Sequence, residues 1–305
     1  MHAQLTVFFH DRPVRRFLLD PDARYGLGRE AACDIFLDDA RISRRHAVFD
    51  CHDGAWQCRD LGSKNGIRIN GHVIETARLA GDEWLDLGGL VARFALVDES
   101  ERTALIAHDE RRRQTSVQVA RRIDPQRGIR VLLDDILDAV LELAGTRRAF
   151  MMLDNGNDDF EMFASRGIAW IDVEGSGFSG SLGVVRDVLS RSTAIVSCDI
   201  GTHTDYAERP SIAGPGIRAL ACLPLRINDA RNGVIYTDSD EPGKVFDELD
   251  LEILNGFAEH AGLAIAAALL RDSLHEMAAG IPDAAAPVTL NGLLAAHGSS
   301  HQERA

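Results

Sequence analysis

The stretches Gly28–Arg29, Ser43–His46 (Ser-Arg-Arg-His) and Asp60–Gly66 (Asp-Leu-Gly-Ser-Lys-Asn-Gly) follow one another within about forty residues near the N-terminus. Each stretch places a cation, a hydroxyl or an amide beside a glycine or within a turn signal. A phosphoryl group carries nearly two negative charges and three strong acceptor oxygens, and the arginine fork matches it bidentately. Together, the three stretches indicate a pocket for a phosphate monoester carried on a peptide.

Residues 3–98 read as short strands separated by turns. The candidate strands are residues 3–9, 14–19, 25–28, 35–37, 47–51, 56–60, 67–69, 72–74, 83–87 and 90–97. Asp53-Gly54 and Asn70-Gly71 are strong hairpin signals. Short strands at this regular spacing predict an all-β sandwich or barrel.

The order and spacing of Gly-Arg, Ser-x-x-His and Gly-Ser-x-Asn-Gly resemble the forkhead-associated (FHA) domain over residues 3–98. The resemblance implies a β-sandwich whose loops at one end bind phosphothreonine peptides. It also implies a preference for threonine over serine, because the γ-methyl group fills a small apolar recess. Asn65 would bond the peptide main chain. The residues that match the family's phosphopeptide contacts are Arg29, Ser43, Arg44, Lys64 and Asn65.

Two further roles follow from the same resemblance. Arg41 stands where some FHA domains read the ligand residue three past the phosphothreonine, so an arginine there predicts a preference for Asp or Glu. The motif residues expected to be structural are Gly28, His46, Gly62 and Gly66. The glycines allow positive φ and close backbone approach. No recognisable motif places an acidic residue to orient His46, which argues against a Ser–His nucleophile.

Charge is unevenly distributed along the 305 residues. The net charge of −14 divides into −2 over residues 1–98, +3 over 99–130 and −15 over 131–305. The acidic second half argues against a nucleic-acid partner. Lys64 and Lys244 are the only lysines. Since nearly every basic residue is Arg, the case for a phosphate site rests on the positions of the arginines and not on their number.

The cysteines and the apolar segments predict a cytoplasmic protein. Five cysteines without a Cys-x-x-Cys pair fit a reducing compartment and predict no disulfide framework or metal site. No uninterrupted run of about 18 apolar residues is present, so no membrane partner is expected. The N-terminus lacks the pattern of a signal peptide.

Residues 99–130 read as an Arg-rich linker that is helical in part. Arg111–Arg113 precede Thr115 in a pattern that resembles a site for a basophilic serine/threonine kinase, and Thr103 follows Arg102. Thr103 and Thr115 are therefore candidate phosphosites. The hypothesis is that a phosphorylated linker threonine binds an FHA pocket, in the same chain or in a neighbouring copy. The alternative is an ordinary solvated basic linker.

Residues 131–275 mix helical and strand patterns. Apolar residues recur at helical spacing from Val131, several strands follow, and a long Ala-rich helix begins near Asp247. The motifs Leu223–Leu225, Asn232–Ser239 and Phe246-x-x-x-Asp250 resemble a GAF domain over about residues 130–271. The resemblance implies an α+β antiparallel sheet with flanking helices.

A GAF domain implies either a small-molecule ligand or a dimer. The cyclic-nucleotide signature is incomplete, since Leu251 follows Asp250 where Glu would stand and Asp229 follows Asn228 where Lys would stand. No cofactor is assigned, and an unknown small-molecule ligand stays an alternative. The last helix has more apolar surface than one domain needs, which favours a homodimer. The tail, residues 276–305, is predicted to be disordered.

The sequence thus predicts a bacterial FHA–GAF signalling protein that is not an enzyme. It would bind a phosphothreonine protein, such as a serine/threonine kinase or a substrate of that kinase. The alternative is a transcription-regulatory FHA–GAF protein that acts through a partner effector, although no helix-turn-helix or Walker pattern is found. No paired carboxylate, metal constellation or nucleophile motif supports an enzyme.

Overall fold

The computed structural model describes residues 1–9, 11–154, 160–167, 179–198, 216–228 and 231–278. By its internal contacts the chain divides into two compact units. The first holds residues 1–9 and 13–112, and the second holds most of the rest.

The first unit is a β-sandwich of two sheets, as the strand pattern predicts. Its strands are β1 (His2–Val7), β2 (Arg15–Leu19), β3 (Tyr25–Gly28), β4 (Ile35–Phe36), β5 (Ala47–His52), β6 (Ala55–Asp60), β7 (Ile67–Ile69), β8 (His72–Ile74), β9 (Thr76–Leu79), β10 (Glu83–Leu87) and β11 (Leu90–Val97). One sheet has the order β2-β1-β11-β10-β7-β8 and the other β4-β3-β5-β6-β9. Only β9 has no counterpart among the predicted strands, because a short edge strand with Ala and Arg in its centre has little β-propensity.

Aromatic side chains join the two sheets. Phe49 of β5 stacks on Phe94 of β11 with ring centroids 6.3 Å apart. Trp56 of β6 meets Phe94 edge-on at 5.9 Å. All three side chains are buried, and burial of each stabilises the fold by about 1.5–3 kcal/mol.

Strand register brings several chain reversals to one end of this sandwich. Leu27 pairs with Ala47, and Ala47 pairs with Asp60. In the other sheet Ile67 pairs with Leu87. The loops after β3, before β5, after β6 and after β10 therefore leave from the same end.

The second unit is α+β, as predicted. Its elements are α2 (Ile129–Ala144), β12 (Arg148–Asp154), β13 (Phe160–Arg166), α3 (Ser179–Arg191), β14 (Ile195–Cys198), β15 (Ala219–Asn228), β16 (Arg231–Ser239) and α4 (Glu248–Ala278). The strands form an antiparallel sheet in the order β13-β12-β16-β15-β14. Both sheet faces are apolar: α2 and α4 contribute to the core on one face, and α3 contributes to the core on the other.

The predicted linker contains a long helix. Helix α1 (Glu99–Ala120) is followed by a short 3₁₀ helix (Pro125–Arg127). Among its described residues only Val119 is buried. Val119 and Ile123 join the apolar core beneath α2 and α4. A helix that is polar on all sides gains little stability from packing.

Helix α4 is unusually long and apolar. By length and composition alone, residues 248–275 would suffice to cross a membrane. Half of the most apolar window is buried within the unit, as in the core helix of a globular domain, so the indication of a membrane span is weak. The helix ends at Ala278, and the remainder of the predicted disordered tail, residues 279–305, lies outside the described residues.

Candidate functional site

Hydrogen bonds connect the loops at one end of the sandwich. The Arg29 N–H donates to the Ser43 carbonyl at 3.0 Å, and the Lys64 N–H donates to Ser43 Oγ at 2.9 Å. The Gly88 N–H donates to the Gly66 carbonyl at 3.1 Å. The structure thus brings the three predicted motifs together and adds the loop between β10 and β11.

Ser43 is held from three sides. Besides the contacts to Arg29 and Lys64, its own N–H donates to Nδ1 of His46 at 3.1 Å. A hydroxyl can accept and donate at the same time. Oγ accepts from Lys64, and its proton has no acceptor among the described residues. That proton is available to a phosphate oxygen.

Three of the predicted cations adjoin Ser43: the main-chain N–H groups of Arg29 and Lys64 donate to it, and Arg44 follows it in the sequence. Arg29, Arg44 and Lys64 are exposed, and none forms an ion pair with a described residue. Their main chains are fixed: Arg44 O, for example, accepts from the Glu30 N–H at 3.1 Å. Unpaired cations on fixed backbone beside a hydroxyl donor form a suitable receptor for a dianion.

His46 is part of the scaffold. The side chain is fully buried, and its Nδ1 accepts the Ser43 N–H, so the neutral ring carries its proton on Nε2. Burial lowers the pKa of His46 below its ordinary value of 6.5, although Asp60, the Gly66 carbonyl and Asp86 act in the opposite direction. The Gly66 carbonyl nevertheless does not reach hydrogen-bond geometry at Nε2. A ring whose Nδ1 is engaged by a main-chain donor orients the loop and is not arranged as a base for the Ser43 hydroxyl.

The glycines fulfil two different requirements. A Cβ atom on Gly28 would lie 2.1 Å from the Arg44 carbonyl oxygen, so only glycine permits this approach of β3 to the loop before β5. Gly62 and Gly66 have open space around them but φ values of 74° and 73°. These angles lie in the left-handed region that glycine adopts without strain.

Arg41 differs from the other cations because it is paired. Its Nε and Nη2 atoms donate to the two carboxylate oxygens of Asp39 at 2.9 and 2.8 Å. Its carbonyl accepts from Asn65 Nδ2 at 2.9 Å. The peptide-binding candidate Asn65 is therefore held by the main chain of Arg41.

Asp39, Gly88 and Gly89 belong to none of the three predicted motifs. A Cβ atom on Gly88 would lie 2.9 Å from both the Arg41 carbonyl oxygen and Cε1 of His46, and φ is 66°. The Gly-Gly pair between two alternating strands was an available turn signal. No local pattern identifies Asp39, because its importance depends on burial.

The candidate phosphosites lie on α1. Thr103 and Thr115 are both exposed helical residues. Both are accessible to a modifying enzyme, and α1 buries little apolar surface that local unwinding would expose.

The motif residues of the second unit have structural contacts. Phe246 is fully buried in the core. The Asp247 N–H donates to Asp250 Oδ2 at 2.9 Å and the Asp250 N–H donates to Asp247 Oδ1 at 2.8 Å, a reciprocal cap at the start of α4. Buried Cys198 Sγ accepts the Phe246 N–H at 3.2 Å. These contacts explain the Phe-x-x-x-Asp spacing without a ligand.

Family models match both units. The FHA domain model matches residues 25–88, and the GAF domain model matches residues 128–265. The two matched regions contain, respectively, the loop cluster around Ser43 and the sheet with its helices.

Curated relatives match a part of the chain about as long as the first unit. An 82-residue stretch is 42% identical to the glycogen accumulation regulator GarA of Mycolicibacterium smegmatis, covering 27% of this chain and 49% of that protein. A stretch of the same length is 40% identical to an oxoglutarate dehydrogenase inhibitor of Corynebacterium diphtheriae, covering 27% of this chain and 54% of that protein. The chain thus spans about half the length of the curated relatives it matches. A solved FHA domain from Chlamydia trachomatis is 29% identical, covers 32% of this chain and 100% of its own, and gives a TM-score of 0.30.

The buried neutral His46 predicts a loss of stability in acid. The unfolded chain takes up a proton below about pH 6.5 that the folded ring resists, so stability is full above that pH and falls as the pH drops toward the lowered pKa of the folded state. We expect the melting temperature of the wild type to fall by several degrees between pH 7.5 and 5.5, since each kcal/mol corresponds to roughly 4–8 °C in a domain of 60–100 residues. Calorimetry of the full chain measures this change.

His46→Asn is the informative variant, because its Oδ1 can replace Nδ1 as the acceptor while nothing titrates. Its melting temperature at pH 7.5 should be lower than that of the wild type, but the decrease in melting temperature between pH 7.5 and 5.5 should be smaller. His52→Asn, at an exposed histidine, is the control and should keep the wild-type pH dependence. Equal acid sensitivity of the wild type and His46→Asn would contradict the assignment.

Proposed function

The chain contains an FHA domain followed by a GAF domain, and we propose that it is a non-enzymatic signalling module that captures a phosphothreonine protein. The observation that carries the proposal is Ser43, whose N–H, carbonyl and hydroxyl each form one hydrogen bond, beside three exposed cations without ion-pair partners among the described residues. FHA and GAF are binding or regulatory domains, and the relatives are named as a regulator and an inhibitor.

In this proposal each residue of the site has a role. Arg29 and Arg44 bind the phosphate with their guanidinium groups, and Lys64 adds a point charge. Ser43 donates its hydroxyl proton to a phosphate oxygen, and Asn65 bonds the peptide main chain. Each charge-assisted hydrogen bond contributes about 1.5–3 kcal/mol.

The cellular setting is the second part of the proposal. A serine/threonine kinase would supply the phosphothreonine, and that kinase or one of its substrates would be the partner. The five cysteines are free thiols, which supports the cytoplasm as the compartment. We keep the alternative of a transcription-regulatory protein working through a partner effector, because it uses the same phosphopeptide site.

Phosphopeptide binding has a direct test. Isothermal titration of the full chain should give measurable affinity for a phosphothreonine peptide, weaker binding of the phosphoserine form and none of the unphosphorylated form. Arg29→Ala and Ser43→Ala should each weaken binding by roughly tenfold to a hundredfold, the equivalent of one lost charge-assisted hydrogen bond.

The matched control is Arg78→Ala, which removes an exposed arginine on β9 outside these loops. It should leave the affinity unchanged. Equal binding of the three peptides, or an equal loss in Arg78→Ala, would refute the phosphothreonine site.

The linker threonines provide a candidate internal ligand. Thr115 follows Arg111–Arg113 and is exposed on α1. Since the FHA pocket holds its ligand extended, α1 has to unwind locally around the phosphothreonine. The polar surface of α1 makes that unwinding inexpensive. Thr103 is the second candidate.

A basophilic serine/threonine kinase should phosphorylate Thr115, and mass spectrometry locates the phosphate. The modified chain should then bind an added phosphothreonine peptide more weakly, because its own phosphothreonine competes. Thr115→Ala should restore the affinity after kinase treatment, with Thr103→Ala as the comparison. An unmodified linker, or undiminished peptide binding by the modified chain, would reject the idea.

For the GAF domain we propose dimerisation, with small-molecule sensing as the other family function. On α4 the exposed apolar side chains Leu263, Leu270 and Met277 recur every seven residues, and exposed Leu274 lies four after Leu270. Exposed Ala267 continues the same stripe. This alternating spacing of three and four is the seam of a coiled coil.

The dimer is tested by sedimentation of the full chain. The wild type should sediment as a dimer at micromolar concentration, and Leu270→Glu should shift it toward the monomer because a charge would be buried in the seam. Val73→Glu changes an equally exposed aliphatic residue on β8 and should not alter the mass. A monomeric wild type at every accessible concentration would count against this proposal.

A further inference from the structure

Asp39 is a buried carboxylate within the loop that leads to Ser43. Its side chain is only 7% exposed. A carboxylate removed from water needs charged or hydrogen-bonding partners. The Arg41 guanidinium provides two bonds of 2.9 and 2.8 Å, and the Arg41 main-chain N–H provides a third at 2.9 Å. Asp39 therefore binds both the side chain and the backbone of Arg41.

The pair extends toward the peptide-binding candidate Asn65. With the Arg41 backbone held by Asp39, the Arg41 carbonyl accepts from Asn65 Nδ2 at 2.9 Å. Arg41 Nη1 also donates to the Gly89 carbonyl at 3.3 Å. Gly88 closes over the Arg41 carbonyl without room for a side chain. Asp39 is thus connected to Asn65 through a single residue.

We propose that Asp39 determines which peptides the site accepts next to the phosphothreonine. Its carboxylate binds the Arg41 guanidinium in the way an acidic peptide side chain would. It also positions the Arg41 main chain, whose carbonyl accepts a hydrogen bond from Asn65. This inference rests on the proposed phosphopeptide function. It assigns Arg41 a positioning role and predicts no preference for Asp or Glu, the opposite of what the position of Arg41 in the sequence predicts.

The physical reason is that the Asp39 carboxylate and an acidic side chain of the peptide would compete for the same Arg41 guanidinium group. Asp39 accepts from Nε and Nη2 of Arg41, the side-on fork that a bidentate peptide carboxylate would use, and it neutralises the guanidinium charge. A peptide carboxylate would have to displace Asp39 and leave a buried charge without its main partner, which is costly. An acidic peptide side chain therefore gains little from Arg41 as long as Asp39 is in place.

The test uses the full chain with Asp39→Asn, Arg41→Gln and the double variant. Asparagine retains an oxygen that can accept the Arg41 N–H but cannot form the charged fork. The probes are pairs of phosphothreonine peptides that differ only by Asp or Asn at one flanking position, taken position by position. We expect an affinity ratio near one for the wild type and a roughly tenfold preference for Asp at one position in Asp39→Asn.

The double variant should return that ratio to one, because the released guanidinium is gone. Asp38→Asn is the matched control: it removes the same charge from the neighbouring exposed residue and should behave as the wild type. The inference is overturned if Asp39→Asn shows no new preference. It is also overturned if the wild type already prefers Asp and Arg41→Gln abolishes that preference.

A measurement without peptide separates this inference from the proposed function. In thermal unfolding of the free chain, the double variant should lose less in melting temperature than the sum of the two single variants. Additive losses would overturn the pairing on which the inference depends. Wild-type binding that ignores phosphorylation would instead reject the phosphothreonine site, and the unfolding result would still decide whether Asp39 holds Arg41.

Discussion

The main-chain hydrogen bond from Ser43 to the buried imidazole of His46 is the contact on which the rest of the site depends. It requires a neutral ring, and burial supplies that condition by lowering the pKa of His46. With the amide of Ser43 fixed, its carbonyl and hydroxyl can join two further loops. The sandwich contributes the prior condition, since its strand register delivers these loops to one end. The orientation of the Ser43 hydroxyl thus depends on core packing, on strand register and on the protonation state of the His46 ring.

Arg41 differs from the other cations of the candidate site because it has an internal partner. Arg29, Arg44 and Lys64 are exposed and form no ion pair within the described residues, whereas Arg41 is bound to buried Asp39. All four stand in or beside the same motifs, and no local sequence pattern shows which of them has an internal partner. The distinction follows from burial of one carboxylate. An arginine in a bidentate pair with a buried carboxylate has its charge neutralised and its side-on donors engaged.

The second domain uses its recognisable motif mostly for structure. The Phe246…Asp250 spacing fits a core aromatic followed by the reciprocal cap of α4, and Cys198 braces the Phe246 backbone. Helix α4 then presents two different surfaces. One packs on the sheet beside α2, while Leu263, Leu270, Leu274 and Met277 stay exposed at heptad-like spacing. The helix thus contributes to a core on one side and leaves apolar side chains exposed on the other.

The β-sandwich, the α+β second domain and the order of the three loop motifs can be predicted from the sequence. These follow from local information: strand alternation, the turn dipeptides at Asp53-Gly54 and Asn70-Gly71, and helical periodicity from Val131 onward. The edge strand β9 was missed because its residues have weak propensity and its position is set by pairing with β6. Helix α1 was predicted only in part, since a polar helix lacks an apolar stripe.

The assembly of the candidate site depends on contacts between residues that are distant in the sequence. The contacts from Ser43 to Lys64 and from Asn65 to Arg41 join residues 21 and 24 positions apart. Gly88 and His46, which lie close together, are separated by still more residues in the sequence. Sequence patterns report propensities over a few residues, whereas these contacts depend on strand register across two sheets. Asp39 is the clearest case. The sequence alone predicts a solvated aspartate in a loop, whereas in the structure its side chain is only 7% exposed and pairs with Arg41.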